Sequence, residues 1–118
     1  MKCLDAGLAP KEEFKYKCHV QICALPQDHI YTHDDGGKEM LYLMDEAADR
    51  KGADVIRNTG PYVEDPLANQ HANIEWIIEL ALEYSLHLGF HLDYNLDAKN
   101  GPSVYHIIQE PGKANWRN

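Results

Sequence analysis

The sequence predicts an α/β fold in which parallel strands alternate with helices, and three observations support it. Short β-rich runs alternate with segments of helical period. The stretches between those runs are long enough for crossover helices, which parallel βαβ units require. The downstream ends of the apolar runs carry polar residues, and functional groups of parallel α/β sheets collect at the carboxyl ends of strands.

The elements follow in order within one domain, 1–118. In residues 1–15, Lys11 and Lys15 are interleaved with Glu12 and Glu13, the pattern of a solvated helix face. "KCHVQICA" (17–24) is the first strand; Pro26 ends it, since proline cannot continue a central strand. "HDDGG" supplies a turn and a helix start, and Met40, Leu41, Met44, Ala47 and Ala48 then recur at helical spacing. Gly52 suits the left-handed position after that helix. "ADVIRNTG" carries the second strand (53–58). Asp65 followed by Pro66 is a side-chain cap ahead of a first-turn proline. The helix it starts runs to about Tyr84 or Ser85, with Ile74, Ile77, Ile78, Ala81 and Leu82 as its buried stripe. Glu75, Glu79 and Glu83 form a solvated face. "LHLGFHL" is the third strand, 87–92, and a weaker helix, "SVYHIIQ", with an irregular tail fills 99–118. Parallel strands of this kind call for cover on both faces.

The formal net charge is −8, and no basic patch is segregated from it, which argues against nucleic acid as a partner. No apolar run is long enough for a membrane span, and the first residues lack the apolar core of a secretory signal. Three cysteines without a Cys-x-x-Cys pair favour reduced thiols and a cytoplasmic setting. Cys23, on a strand among apolar neighbours, reads as a small hydrophobe.

The polar residues at the strand ends are Gln27 and Asp28 after the first strand, Tyr62 and Glu64 after the second, and His91 at the end of the third. His91 alternates with Phe90 and Leu92 and faces away from them. It is either a core histidine satisfied by neighbours or a metal ligand or proton shuttle. Gln27 is a loop side chain or an amide that grips a planar ring. Asp93 orients His91 or starts the turn "DYNLD". His19 falls on the first strand, His29 and His33 in a loop, His71 and His87 beside the long helix, and His106 on the last helix. None forms a His-x-His or a His-x-x-x-His on a helix with Glu.

"VQICALPQDHI", "ADVIRNTGPYVE" and "ANIEWIIELALEYSLHLGFHLDYNLD" resemble, in the same order, segments of the amidohydrolase superfamily, and the likeness to its cytosine deaminase-like metallo-dependent hydrolases spans most of residues 12–98. The resemblance implies a partial TIM barrel of about three βα units, the third to fifth strands of eight, with 1–15 as a helix left over from the preceding unit. It implies a divalent metal (zinc or iron) with His91 as a ligand. It also implies substrate contacts from Gln27, Glu64 and Asn95, and Asp93 and Tyr94 at the catalytic positions. Tyr94 stands where the family pattern His-x-x-Glu carries its proton-transferring glutamate, and a phenol with a pKa of roughly 10 is a poor general base at neutral pH. The family's His-x-His pair, strand-six histidine and strand-eight aspartate have no counterparts.

Two functions follow. One is a metal-dependent hydrolase or deaminase acting on a cyclic C–N bond of a small-molecule amide or amine. The other is an inactive truncated piece, or an interaction piece that completes its barrel with another chain and self-associates through exposed strand edges.

Overall fold

The computed structural model describes residues 2–26, 28–58, 64, 67–91 and 104–113. Among the described residues the elements are, in order, α1 (Lys2–Phe14), β1 (Ile22–Ala24), α2 (Lys38–Asp49), β2 (Ala53–Asn58), α3 (Leu67–Glu83), β3 (His87–Phe90) and α4 (Val104–Lys113). The strands form one open parallel sheet in the order β1-β2-β3. The fold is α/β, as expected, and its described strands form an open parallel sheet rather than a closed barrel.

β1 is shorter than the expected 17–24. The N–H groups of Lys17 and Cys18 both bond to the Phe14 carbonyl at 2.8 and 3.0 Å, closing the end of α1. Those donors are therefore spent on the helix terminus, and His19 lies outside the strand. The pairing starts at Ile22, whose N–H is taken by the Asp54 carboxylate at 3.0 Å, and the register shifts between Ile22 and Cys23. Lys11 holds the same carboxylate at 2.5 Å and the Gly52 carbonyl at 2.8 Å. Asp54 thus ties α1, β1 and β2 together at the amino end of the sheet.

"HDDGG" starts a helix as expected. The Asp35 carboxylate accepts from the N–H groups of Gly37 (2.8 Å) and Glu39 (3.1 Å), satisfying donors that the first turn leaves unpaired. These two bonds hold the Asp35 carboxyl below its ordinary range. Gly52 adopts the left-handed conformation expected of it, with φ +100. α3 begins at Leu67; Asp65 and Pro66 lie outside the described residues. It ends at Glu83 rather than at Tyr84 or Ser85, because Ser85 turns left-handed (φ 54). Leu86 N–H then reaches back to Ala81 O at 2.9 Å and Ser85 N–H to Leu82 O at 3.3 Å. This is a Schellman closure with serine where glycine is usual.

The core joins Met44 and Ala48 of α2, Ile56 of β2, and Ile77, Leu80 and Ala81 of α3, with Ala24, Leu88 and Phe90 packed against it. The α3 stripe is buried as expected at Ile74, Ile77, Ile78 and Ala81, but Leu82 is only half-buried, while Leu80 and Asn73 are buried in its place. Glu75, Glu79 and Glu83 are exposed. α4 rests on α3, where the His106 ring stacks on His71 with centroids 3.9 Å apart.

The expectation of cover on both faces is corrected. Register places Ala24, Ile56 and Leu88 in one cross-strand row, toward the helices, and Cys23, Val55 and His87 in the alternate row. Cys23, Arg57 and His87 are exposed, so among the described residues the second face lies open. In a (β/α) barrel that face lines the interior and is covered by the opposite strands. Cys23, on that open row, is an exposed free thiol. Partial burial still raises its thiol above the ordinary range, against the pull of Arg57.

Candidate functional site

The three strands finish nearly level. Ala24 pairs with Ile56, and Asn58, two residues on, pairs with Phe90. The carboxyl ends therefore form one rim, with the described part of the β1–α2 loop, Glu64 after β2 and His91 after β3 beyond it. His91 directly follows β3, whose bounds are His87–Phe90 rather than 87–92, and is half-buried. By alternation it continues the row of His87 and Gly89, which is the open face of the sheet. Gln27, Tyr62, Asp93, Tyr94 and Asn95, also expected at the rim, lie outside the described residues.

Glu64 is the best-defined group of the rim. It is 3% exposed, and every oxygen of its carboxylate is engaged within the chain. Oε1 accepts from the N–H groups of Ile30 (2.5 Å) and Tyr31 (2.9 Å) and from Asn73 Nδ2 (2.9 Å). Oε2 accepts from the N–H of Thr32 (2.9 Å) and its hydroxyl (2.5 Å). Gln70 on α3 donates to the Glu64 carbonyl at 3.1 Å. Burial alone would raise this carboxyl, but the bonds from Thr32, Ile30, Asn73 and Tyr31 together outweigh it and leave the carboxyl below its ordinary range. Successive backbone N–H groups of this kind make an anion-binding concavity, and here its occupant is the chain's own side chain. Sequence reasoning marked Glu64 as a polar strand-end residue from its position and as a substrate contact from the family resemblance. It missed Asn73, whose only sequence signal is an amide on the apolar stripe of a helix.

The loop that Glu64 grips surrounds a hollow of about 240 Å³ lined by Asp28, His29, His33, Asp35, Met40 and neighbouring residues. The rings of His29 and His33 are 5.6 Å apart, and His33 Nδ1 lies 3.3 Å from Asp35. Ile30 is fully buried beneath it. Gly37 allows this close approach: a Cβ there would meet Ile30 Cγ2 at 2.4 Å, and its φ is +88.

The divalent metal implied by the sequence resemblance needs a converging set of ligands. Among the described residues no group of three or more His, Cys, Asp or Glu converges to hold a metal ion. His91 is one candidate ligand where a zinc site takes about three from the protein. The described residues alone do not fit a divalent metal. No described helix is long and apolar enough to cross a membrane.

No family model and no curated protein matches the chain. Solved structures do. The chain is similar to 5-methylcytosine deaminase from Klebsiella pneumoniae liganded with 5-fluorocytosine, with a TM-score of 0.74 and 24% identity over 95% of this chain and 25% of that one. Against the same enzyme liganded with phosphonocytosine the TM-score is 0.71, with 25% identity over 91% of this chain and 24% of that one. The chain therefore spans about a quarter of the deaminase it resembles. In fold it is a cytosine deaminase-like partial barrel.

Proposed function

We propose that this deaminase-like quarter belongs to an amidohydrolase-type hydrolase that deaminates a small cyclic amine or amide, and that it supplies one sector of the substrate rim. The observation that carries this is the level rim of three parallel strands, superposable over nearly the whole chain on a cytosine-type deaminase. His91, at the end of β3 on the open side of the sheet, is the imidazole this sector contributes toward a divalent metal, zinc or iron. The other ligands, about two more from the protein, come from the rest of a barrel. Gln27 and Asn95 contact the planar substrate, and Asp93 orients His91. Tyr94 donates a hydrogen bond from its phenol rather than abstracting a proton, since a phenol is by nature a poor general base at neutral pH.

The test has two parts. The chain by itself, supplied with zinc, is expected to release no ammonia from cytosine or 5-methylcytosine and to hold no stoichiometric tight metal. Grafted in place of the matching quarter of the Klebsiella enzyme, it is expected to restore metal loading, and Tyr94→Glu in the graft should raise turnover by roughly 10²–10⁴-fold, the usual worth of a placed acid–base group. A folded, metal-loaded graft carrying Tyr94→Glu that released no ammonia would defeat the assignment. So would metal loading indifferent to His91→Ala.

A further inference from the structure

Glu64 carries more structure than a substrate contact needs. Its carboxylate comes from the segment after β2, its backbone donors from three consecutive residues after β1, and its amide donor from α3. Three parts of the rim are thus joined through one buried side chain. The β1–α2 loop is also held by the burial of Ile30 and by its own turns, His33 N–H to Ile30 O at 3.3 Å and Gly36 N–H to His33 O at 2.9 Å, before Asp35 caps the first turn of α2. His29, Thr32 and His33 of this loop line the hollow or its edge.

We propose that Glu64 is a positioning residue, an internal anion that locks the β1–α2 loop onto the rim and so sets where Asp28, His29 and His33 stand. That this loop borders a substrate rests on the deaminase reading; the lock itself does not. A bound carboxylate satisfies five donors at once, whereas glutamine at this place offers one acceptor oxygen and turns an N–H₂ group toward donors. Protonation acts in the same direction. Because the carboxyl lies below its ordinary value of 4.5 in the folded chain, the lock is fully present above that value and is lost as pH falls through the lower folded one. The groups that face it are the Tyr31 phenol on the loop, itself raised by burial and then by Glu64, Glu79 and Glu75, and the neutral Asn73 and Gln70 on α3.

Amide hydrogen exchange of the whole chain tests this, since it reads the loop without requiring turnover. In Glu64→Gln, protection at Ile30, Tyr31 and Thr32 is expected to fall at least about tenfold, the order expected for lost bonds to a charged group. Protection at Ile56 and Ile77 should hold. Protection of those three loop amides in the wild type should also decline with acid, and Glu64→Gln should abolish that pH profile. Added formate should restore protection in Glu64→Ala while formamide does not; if Glu64→Ala fails to fold, Glu64→Gln and the pH profile decide. Unchanged loop protection in Glu64→Gln would overturn the proposal. So would a loss that spreads equally to β2 and α3, which is the signature of a carboxylate that merely holds the domain together. A failed graft with an intact lock would reject the deaminase reading alone.

Discussion

Replacing Ile56 by alanine tests the packing on which the rim depends. Ile56 is fully buried at the centre of β2, the middle strand, and packs with Met44, Ala48, Ile77, Leu80 and Ala81. The change removes about three methylene equivalents, worth roughly 2.4 kcal/mol of transfer free energy at ~0.8 kcal/mol each. The space left behind adds to this, because β2 is hydrogen-bonded to β1 on one side and β3 on the other and cannot move inward. The expected cost is about 3–4 kcal/mol, within the range seen for such truncations, and a large part of the roughly 5–15 kcal/mol that holds a domain folded. Urea unfolding measures it as a lowered midpoint at unchanged slope. Leu67→Ala at the start of α3, where the side chain is 52% exposed, is the control and should change stability by no more than about 0.5 kcal/mol. A cost at Ile56 below about 1 kcal/mol, or equal to the control, would refute the reasoning, for it would mean that β2 is not the buried centre of the layer.

Gly37→Ala should destabilise by about 1–3 kcal/mol, read by urea unfolding, because a left-handed backbone and a Cβ 2.4 Å from Ile30 Cγ2 are both forbidden. Ser85→Gly should stabilise by about 0.5–1 kcal/mol, since glycine adopts the left-handed closing position of α3 without strain; a loss of stability in a thermal melt would contradict the Schellman assignment. Asp54 is held below its ordinary 3.8, first by its bond from Lys11 and then by that from Ile22 N–H, so its contribution is present above that value and lost as pH falls through the lower folded one. Asp54→Asn should therefore flatten the acid limb of a stability–pH curve and, because both partners are about a quarter exposed, cost only about 0.5–1 kcal/mol at neutral pH. The isolated chain should self-associate, as light scattering after size exclusion would report, because among the described residues β1 and β3 each lack a second neighbour and the face bearing Cys23 and Arg57 is open; a strict monomer would show that those edges are covered.

The elements themselves were legible in the sequence because they rest on local chemistry. Met40, Met44, Ala47 and Ala48 mark α2 by their period, Gly52 marks the left-handed turn after it, and the isoleucines of α3 mark its buried stripe. The order of the strands follows from crossover length and handedness, which act between neighbours along the chain. Other features depended on groups far apart in sequence. β1 shrank to Ile22–Ala24 because Phe14 claims the N–H groups of Lys17 and Cys18 and Asp54 claims that of Ile22. Nothing in "KCHVQICA" announces either partner. Which face of the sheet the helices cover is likewise a collective outcome, since Cys23 and Ala24 look equally suited to burial and only the register with Val55 and Ile56 separates them. The role of Glu64 was the least visible. A lone glutamate after a strand reads as a rim group, and only the folded chain brings Ile30, Tyr31, Thr32 and Asn73 around it. A carboxylate can be buried only where enough donors meet it, and tertiary structure alone assembles donors from residues up to 34 positions apart.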